Sequence, residues 1–104
     1  MGAQSFVHTR FAFDGVTADQ AFEDAQEEAR YDYGHRGYTG TIAEKFKGFV
    51  MMPMIEGKTA EETAWHYIGE CDPRIDDKWG PAGCVKGKDH EGHEVYCFFG
   101  WASA

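Results

Sequence analysis

The stretch Glu94-Val-Tyr-Cys-Phe-Phe-Gly-Trp-Ala102, close to the end of the 104-residue chain, decides the fold. Successive side chains of a β-strand point to opposite faces of a sheet. Here both faces are apolar, with Val95, Cys97, Phe99 and Trp101 on one and Tyr96 and Phe98 on the other. Such a strand is typically covered on both sides. We therefore predict that it is central, and that residues 82–87 form a hairpin with it.

Two helices are predicted from capping boxes, in which a Thr and a Gln or Glu three residues later bind each other's backbone N–H. The first begins at Thr17, before Gln20, and the second at Thr59, before Glu62. Apolar residues at helical spacing give the first helix an inner face, formed by Phe22, Ala25, Ala29 and Tyr33. Its outer face is acidic, with Asp19, Glu23, Asp24, Glu27 and Glu28.

The remaining apolar segments predict strands over residues 5–13, 41–47 and 49–52. The predicted order of elements is therefore β-α-β-β-α-β-β. We expect residues 1–104 to form a single α+β domain, because the chain is long enough for one domain and too short for two. The economical packing places the two helices on one face of a mainly antiparallel sheet, in a ferredoxin-like or related arrangement.

Net charge and cysteine usage narrow the possible functions. The chain carries a charge of −8 at pH 7, with a pI near 4.9. Duplex nucleic-acid binding needs a positive face, so the net negative charge argues against it. The same charge fits binding to a basic surface of a partner, and it also fits simple solubility. Three cysteines without a CxxC pair indicate a reducing compartment. With no membrane-length apolar run and no secretory signal in the sequence, we expect a cytoplasmic protein.

The most unusual stretch is Tyr31-Asp-Tyr-Gly-His-Arg-Gly-Tyr-Thr-Gly-Thr-Ile-Ala-Glu-Lys45. Its three glycines recur at three-residue spacing, and glycine permits positive φ and close backbone approach. Backbone N–H groups in such a turn can bind an anion, and the arginine fork suits phosphate or carboxylate. The stretch matches neither a P-loop nor a dinucleotide-binding fingerprint.

We therefore predict a candidate site for a small anionic, nucleotide-like ligand in this loop. Its residues are His35, Arg36, Gly37, Tyr38, Thr39, Gly40 and Lys45. Arg36 and Lys45 would be the charge partners, and Tyr38 a stacking surface. The alternative interpretation is a tight helix-to-strand connection that binds nothing.

Catalytic and metal sites are not predicted. The candidate ligands for a metal are loosely spaced: His66, Cys71, Cys84, His90, His93 and Cys97. Structural zinc prefers four such ligands in a tetrahedron, and no two cysteines are close enough for one knuckle. Cys84 could act as a nucleophile only if it were exposed beside a base. We expect a non-enzymatic protein without a cofactor; the alternatives are a small enzyme acting on a phosphorylated substrate, with His35 as general base, and a structural homo-oligomer.

Two stretches are candidate partner-binding surfaces. One is the acidic outer face of the first helix. The other is an apolar run rich in methionine, whose side chain adapts to different partners, namely Phe46, Phe49, Met51, Met52 and Met54. The alternative interpretations are a solvated helix face and a core strand.

Three segments resemble small proteins encoded by bacteriophages. They are Gly-Tyr-Thr-Gly-Thr-Ile-Ala-Glu-Lys over 37–45, Asp-Lys-Trp-Gly-Pro-Ala-Gly over 77–83, and Phe-Phe-Gly-Trp-Ala-Ser over 98–103. The resemblance implies expression in an infected bacterial cytoplasm, where small acidic phage proteins often bind a host protein or sequester a signal molecule. It assigns no functional residue. We therefore expect a cytoplasmic, phage-type module that binds a host protein or sequesters a small anionic ligand.

Overall fold

A computed structural model describes residues 2–12, 15–33 and 40–103, except for the side chain of Tyr33. It confirms the α+β class, with two helices and a four-stranded, mainly antiparallel sheet. In chain order the elements are β1 (Ala3–Phe11), α1 (Ala18–Tyr33), β2 (Phe49–Met51), α2 (Ala60–Gly69), β3 (Ala82–Lys88) and β4 (Glu94–Ser103). Neither helix is long and apolar enough to cross a membrane.

The sheet is ordered β1-β4-β3-β2. β4 pairs antiparallel with β1 on one side and with β3 on the other, which confirms its predicted central place and the predicted hairpin. β2 pairs parallel with β3, and α2 connects these two strands, as parallel neighbours require a crossover. The strands at the two edges are therefore β1 and β2.

The two helices pack on opposite faces of the sheet, so the predicted one-face, ferredoxin-like packing is wrong. α1 covers a cluster that includes Phe6, Tyr96 and Phe98, whereas α2 covers one that includes Val95 and Phe99. The physical reason lies in β4, whose alternate side chains are apolar on both sides. Each face must be buried, and one helix covers each.

The predicted strand over residues 41–47 is also wrong, because a 3-10 turn forms at Ile42–Glu44 instead. The Thr41 hydroxyl accepts a hydrogen bond from the Ala43 N–H, at 3.2 Å. Gln26 of α1 donates to the carbonyls of Ile42 and Lys45, at 3.3 and 2.7 Å. These side-chain bonds to backbone groups replace a strand ladder. The other elements follow one another in the predicted order.

Both predicted capping boxes are present. The Gln20 N–H donates to Thr17 Oγ1 at 3.2 Å, and the Thr17 N–H donates to Gln20 Oε1 at 3.1 Å. At the second helix, the same reciprocal bonds join Thr59 and Glu62, at 3.1 and 2.9 Å. The sequence therefore placed both helix starts correctly.

The end of α2 contains a strained residue. Cys71 has a φ of 51°, its N–H donates to the Ile68 carbonyl at 3.1 Å, and the Asp72 N–H donates to the Tyr67 carbonyl at 3.2 Å. This pair of bonds is a Schellman motif, whose left-handed position usually holds glycine. A non-glycine residue there costs about 1–2 kcal/mol.

We expect Cys71→Gly to raise the free energy of unfolding by about 0.5–1 kcal/mol, because the relieved strain exceeds the entropy that glycine loses on folding. Urea unfolding followed by circular dichroism would measure the change. Cys71→Ser is the control, because serine keeps the Cβ and the strain. Equal stabilities of the glycine and serine variants would contradict the prediction.

Candidate functional site

Most of the predicted ligand loop lies outside the described residues. This applies to His35, Arg36, Gly37, Tyr38 and Thr39, whose role as a ligand site stays a prediction. Gly40 and Lys45, at the end of the predicted site, are described. Both make well-defined contacts with other parts of the chain.

Gly40 connects this segment to the end of the sheet. Its φ is 71°, and its N–H donates to the Ser103 carbonyl at 2.8 Å. A Cβ at this position would lie 2.8 Å from Oε1 of Gln4. Glycine is therefore favoured here by its backbone angle, and any larger residue would also have to displace the Gln4 side chain.

Lys45 is buried, and its ammonium group holds the loop that leads into β3. Nζ donates to the carbonyls of Asp77, Lys78 and Gly80, at 3.1, 3.3 and 3.1 Å. An ammonium group has three N–H donors, so these carbonyls account for all of them. The described contacts of Lys45 are therefore those of a structural side chain, and an anion would have to displace one of them.

Burial also changes the ionisation of Lys45. Loss of hydration lowers the pKa of its ammonium group to about 8, and the nearby Asp77 carboxylate only partly opposes this effect. The charged form is thus less favoured in the folded protein than on an exposed lysine.

The thiols are not arranged for catalysis. Cys84 and Cys97 are buried, and burial raises the pKa of each thiol to about 12. They lie in clusters on opposite faces of the sheet, so they cannot share one metal ion. The exposed thiol is that of Cys71.

We expect one of the three thiols to react with Ellman's reagent in the native protein, because only a solvent-accessible thiolate attacks the reagent. The other two should react after denaturation. The Cys71→Ser variant should release no thionitrobenzoate while it is folded. Reaction of a second thiol at a rate similar to the first, under native conditions, would contradict this assignment.

The turn between β3 and β4 holds the one cluster of metal-type ligands found in the described ranges. Ligand atoms of Asp89, Glu91 and His93 lie within 4.8 Å of one another. Asp89 Oδ1 accepts hydrogen bonds from the Glu91 and His93 N–H groups, at 2.9 Å each. These bonds shape the tip of the hairpin. The cluster is thus explained by turn geometry.

The acidic face of α1 is confirmed as exposed along its length. Its exposed carboxylates are Asp19, Glu23, Asp24, Glu27, Glu28 and Asp32. They form two rows at four-residue spacing, with neighbours in a row about 6 Å apart along the helix. Glu28 is paired with β1: its two carboxylate oxygens lie 3.0 Å from His8 Nε2 and 2.8 Å from Arg10 Nη1.

A pair of open recesses lies between α1 and β1. One, of about 310 Å³, is lined by Thr9, Arg10, Phe11 and Asp24, among others. The second, of about 220 Å³, is lined by the segment 4–8 together with Ala29 and residues 40–42. Because both contain consecutive residues of β1, they follow the strand along its length. Sequence reasoning missed this feature, since periodicity predicts a strand without showing what lies beside it.

The methionine-rich run divides between core and surface. Met52 is buried under α2, while Phe46 and Met51 are 77% and 54% exposed. Met51 belongs to the edge strand β2, so an apolar surface lies at the opposite edge of the sheet from β1. The run is therefore partly core and partly surface, and its role in partner binding stays a prediction.

Comparisons with known proteins found no match: no protein-family model, curated protein or solved structure matches the chain. The resemblance to phage-encoded proteins accordingly stays a prediction.

Proposed function

We propose that this chain is a non-enzymatic binding module that holds a basic surface of a partner protein with the acidic face of α1. Following the sequence resemblance, the setting would be an infected bacterial cytoplasm and the partner a host protein. The observation that carries the proposal is the pair of carboxylate rows on one exposed helix face.

This arrangement works against the stability of the helix. Asp19–Glu23, Glu23–Glu27, Asp24–Glu28 and Glu28–Asp32 are like-charge pairs at four-residue spacing. Each such pair costs about 0.2–0.5 kcal/mol at low salt, which amounts to about 1–2 kcal/mol over the face. A solvated face needs no such concentration of one charge. A surface that binds a positively charged partner needs this concentration of negative charge, because complementary potentials speed association and select the partner.

We expect Glu23→Lys to raise the free energy of unfolding by about 1 kcal/mol at low salt, since two repulsive pairs become attractive. Urea unfolding at about 10 mM and about 1 M salt would measure this gain, which screening should remove at the higher concentration. Glu61→Lys, on α2, gives the same change of net charge without these pairs. The prediction is contradicted if both variants change stability equally.

Binding is tested with Glu23→Lys/Glu27→Lys, which reverses the last two charges of the row Asp19, Glu23 and Glu27. Proteins captured from bacterial lysate by the wild-type chain should be lost by this variant and kept by Glu61→Lys. Capture of the same proteins by all three chains would overturn the proposed function. The expected combination is a more stable helix that binds less, which a purely structural face does not predict.

A further inference from the structure

The outer edge of β1 has backbone hydrogen-bonding groups that no other described residue uses. The Ala12 N–H donates to the Glu94 carbonyl, at 2.9 Å, in register with the β1–β4 ladder. Hydrogen-bonded pairs alternate along an antiparallel ladder, so even-numbered residues bond to β4. Ser5, Val7 and Thr9 therefore direct their backbone N–H and C=O groups to the outer edge. Within residues 2–12, 15–33 and 40–103, no backbone hydrogen bond reaches them from that side.

This edge also lacks the usual protection against pairing. Edge strands are normally short, or carry proline, lysine or inward-pointing charges. β1 has nine residues, Ala3–Phe11, without proline, lysine or any acidic residue, and the charge of Arg10 is paired with Glu28 of α1. The opposite edge, β2, has three residues. A long edge of this kind is a template for another strand.

The surroundings of the edge specify which strand would fit. On the α1 side, Asp24 lines the recess beside Thr9 and Arg10, and Asp32 follows in the same row of the helix. On the other side, β1 presents Val7, Thr9 and the 54%-exposed Phe11. On the α1 face, an added strand would therefore meet the exposed carboxylates of Asp24 and Asp32 beside His8 and Arg10, whose charge Glu28 already offsets. On the other face it would meet largely apolar groups.

We propose that the edge of β1 binds an extended segment of the partner protein as a fifth strand, with basic side chains towards α1 and apolar side chains on the opposite face. Strand addition takes its affinity from main-chain hydrogen bonds and its specificity from alternate side chains. This inference rests on the proposed function and specifies how that partner is held.

A second copy of the chain fits the edge less well. Antiparallel pairing of β1 with itself is related by a twofold axis perpendicular to the sheet, which places both α1 helices on the same face. Their acidic rows would then approach one another. Because each copy carries a charge of −8, this repulsion favours a basic segment over a second copy as the strand that pairs with β1.

The test uses the capped octapeptide (Lys-Val)₄, which presents all its lysines on one face of a strand and all its valines on the other. Hydrogen exchange, followed by NMR, should slow by about tenfold or more at the amides of Ser5, Val7 and Thr9 when the peptide is added. The peptide (Glu-Val)₄ and a (Lys-Val)₄ peptide N-methylated at every valine should give no protection. Absence of protection with (Lys-Val)₄, or equal protection with (Glu-Val)₄, would overturn the proposal. So would protection that appears without peptide and grows with protein concentration, because a second copy would then occupy the edge.

A variant pair separates this inference from the proposed function. Thr9→Pro removes an outward N–H without touching the ladder to β4, a position where an edge strand tolerates proline, while Thr9→Val keeps the N–H. The lysate partner should be lost by Thr9→Pro and kept by Thr9→Val, provided that both variants give folded spectra. If both keep the partner and Glu23→Lys/Glu27→Lys loses it, strand addition is wrong and the proposed function stands. If the charge-reversed variant also keeps it, both are wrong.

Discussion

Replacing Lys45 with methionine is expected to lower the free energy of unfolding by about 3 kcal/mol. Methionine fills a similar volume but donates no hydrogen bond, so the carbonyls of Asp77, Lys78 and Gly80 lose their shared donor. The Asp77 carbonyl keeps the Gly80 N–H as a donor, at 2.9 Å, so the largest loss is at the buried Gly80 carbonyl. A buried acceptor left without a partner costs about 1–3 kcal/mol, and the loss of the other two bonds adds to this. Part of this loss is offset, because an ammonium group no longer has to be desolvated.

Chemical denaturation of the Lys45→Met variant measures the loss of stability, and the Lys47→Met variant is the control. Lys47 is exposed and lies two residues away, so its replacement should change stability by less than about 0.5 kcal/mol, as is usual for surface positions. Similar stabilities of the two variants would show that the three bonds to Lys45 Nζ contribute nothing net.

The pH dependence gives an independent check on the same side chain. The pKa of Lys45 is about 8 in the folded chain and 10.5 for an ordinary lysine. Between these values the unfolded chain binds more protons, so the contribution of Lys45 to stability rises as the pH increases from about 8 to about 10.5. The stability difference between the wild type and Lys45→Met should therefore widen over this window. A constant difference would contradict the lowered pKa.

The position of Lys45 shows what sequence reasoning could not supply. As a cation at the end of a glycine-rich loop, it was interpreted as a ligand contact. Its acceptors are backbone carbonyls more than 30 residues further along the chain, and a backbone carbonyl has no sequence signature. The turn at Ile42–Glu44 was missed for the same reason, because the amide of Gln26 holds two of its carbonyls.

Local patterns were more informative. The capping boxes predicted both helix starts, and the apolar side chains on both faces of β4 predicted its central place. A strand that is apolar on both faces already indicated that each face of the sheet must be covered. The prediction that both helices pack on one face overlooked this consequence. For the candidate site, composition revealed the acidic helix face, but the edge position of β1 depends on strand order, which periodicity does not encode.

Gly83→Ala is expected to lower the free energy of unfolding by about 2–3 kcal/mol, because overpacking a filled core forces neighbouring side chains and backbone to shift. A Cβ at Gly83 would lie 2.6 Å from Cζ of Phe99 and 2.9 Å from Sδ of Met52. The Phe99 ring is fully buried and stacks on Tyr67, with ring centroids 5.7 Å apart. Because it is packed between β3 and α2, it cannot move aside without disturbing the helix.

Gly87→Ala provides the matched comparison on the same strand and the same face. There the new methyl group would meet Cε and Sδ of Met54, at 2.5 Å each. These atoms end a flexible side chain that is only half-buried, so a change of rotamer relieves the contact, and we expect a loss below about 1 kcal/mol. Thermal or urea unfolding of the two variants would compare them directly. A larger loss for Gly87→Ala than for Gly83→Ala would mean that the tight contact under α2 is not what holds β3 in place.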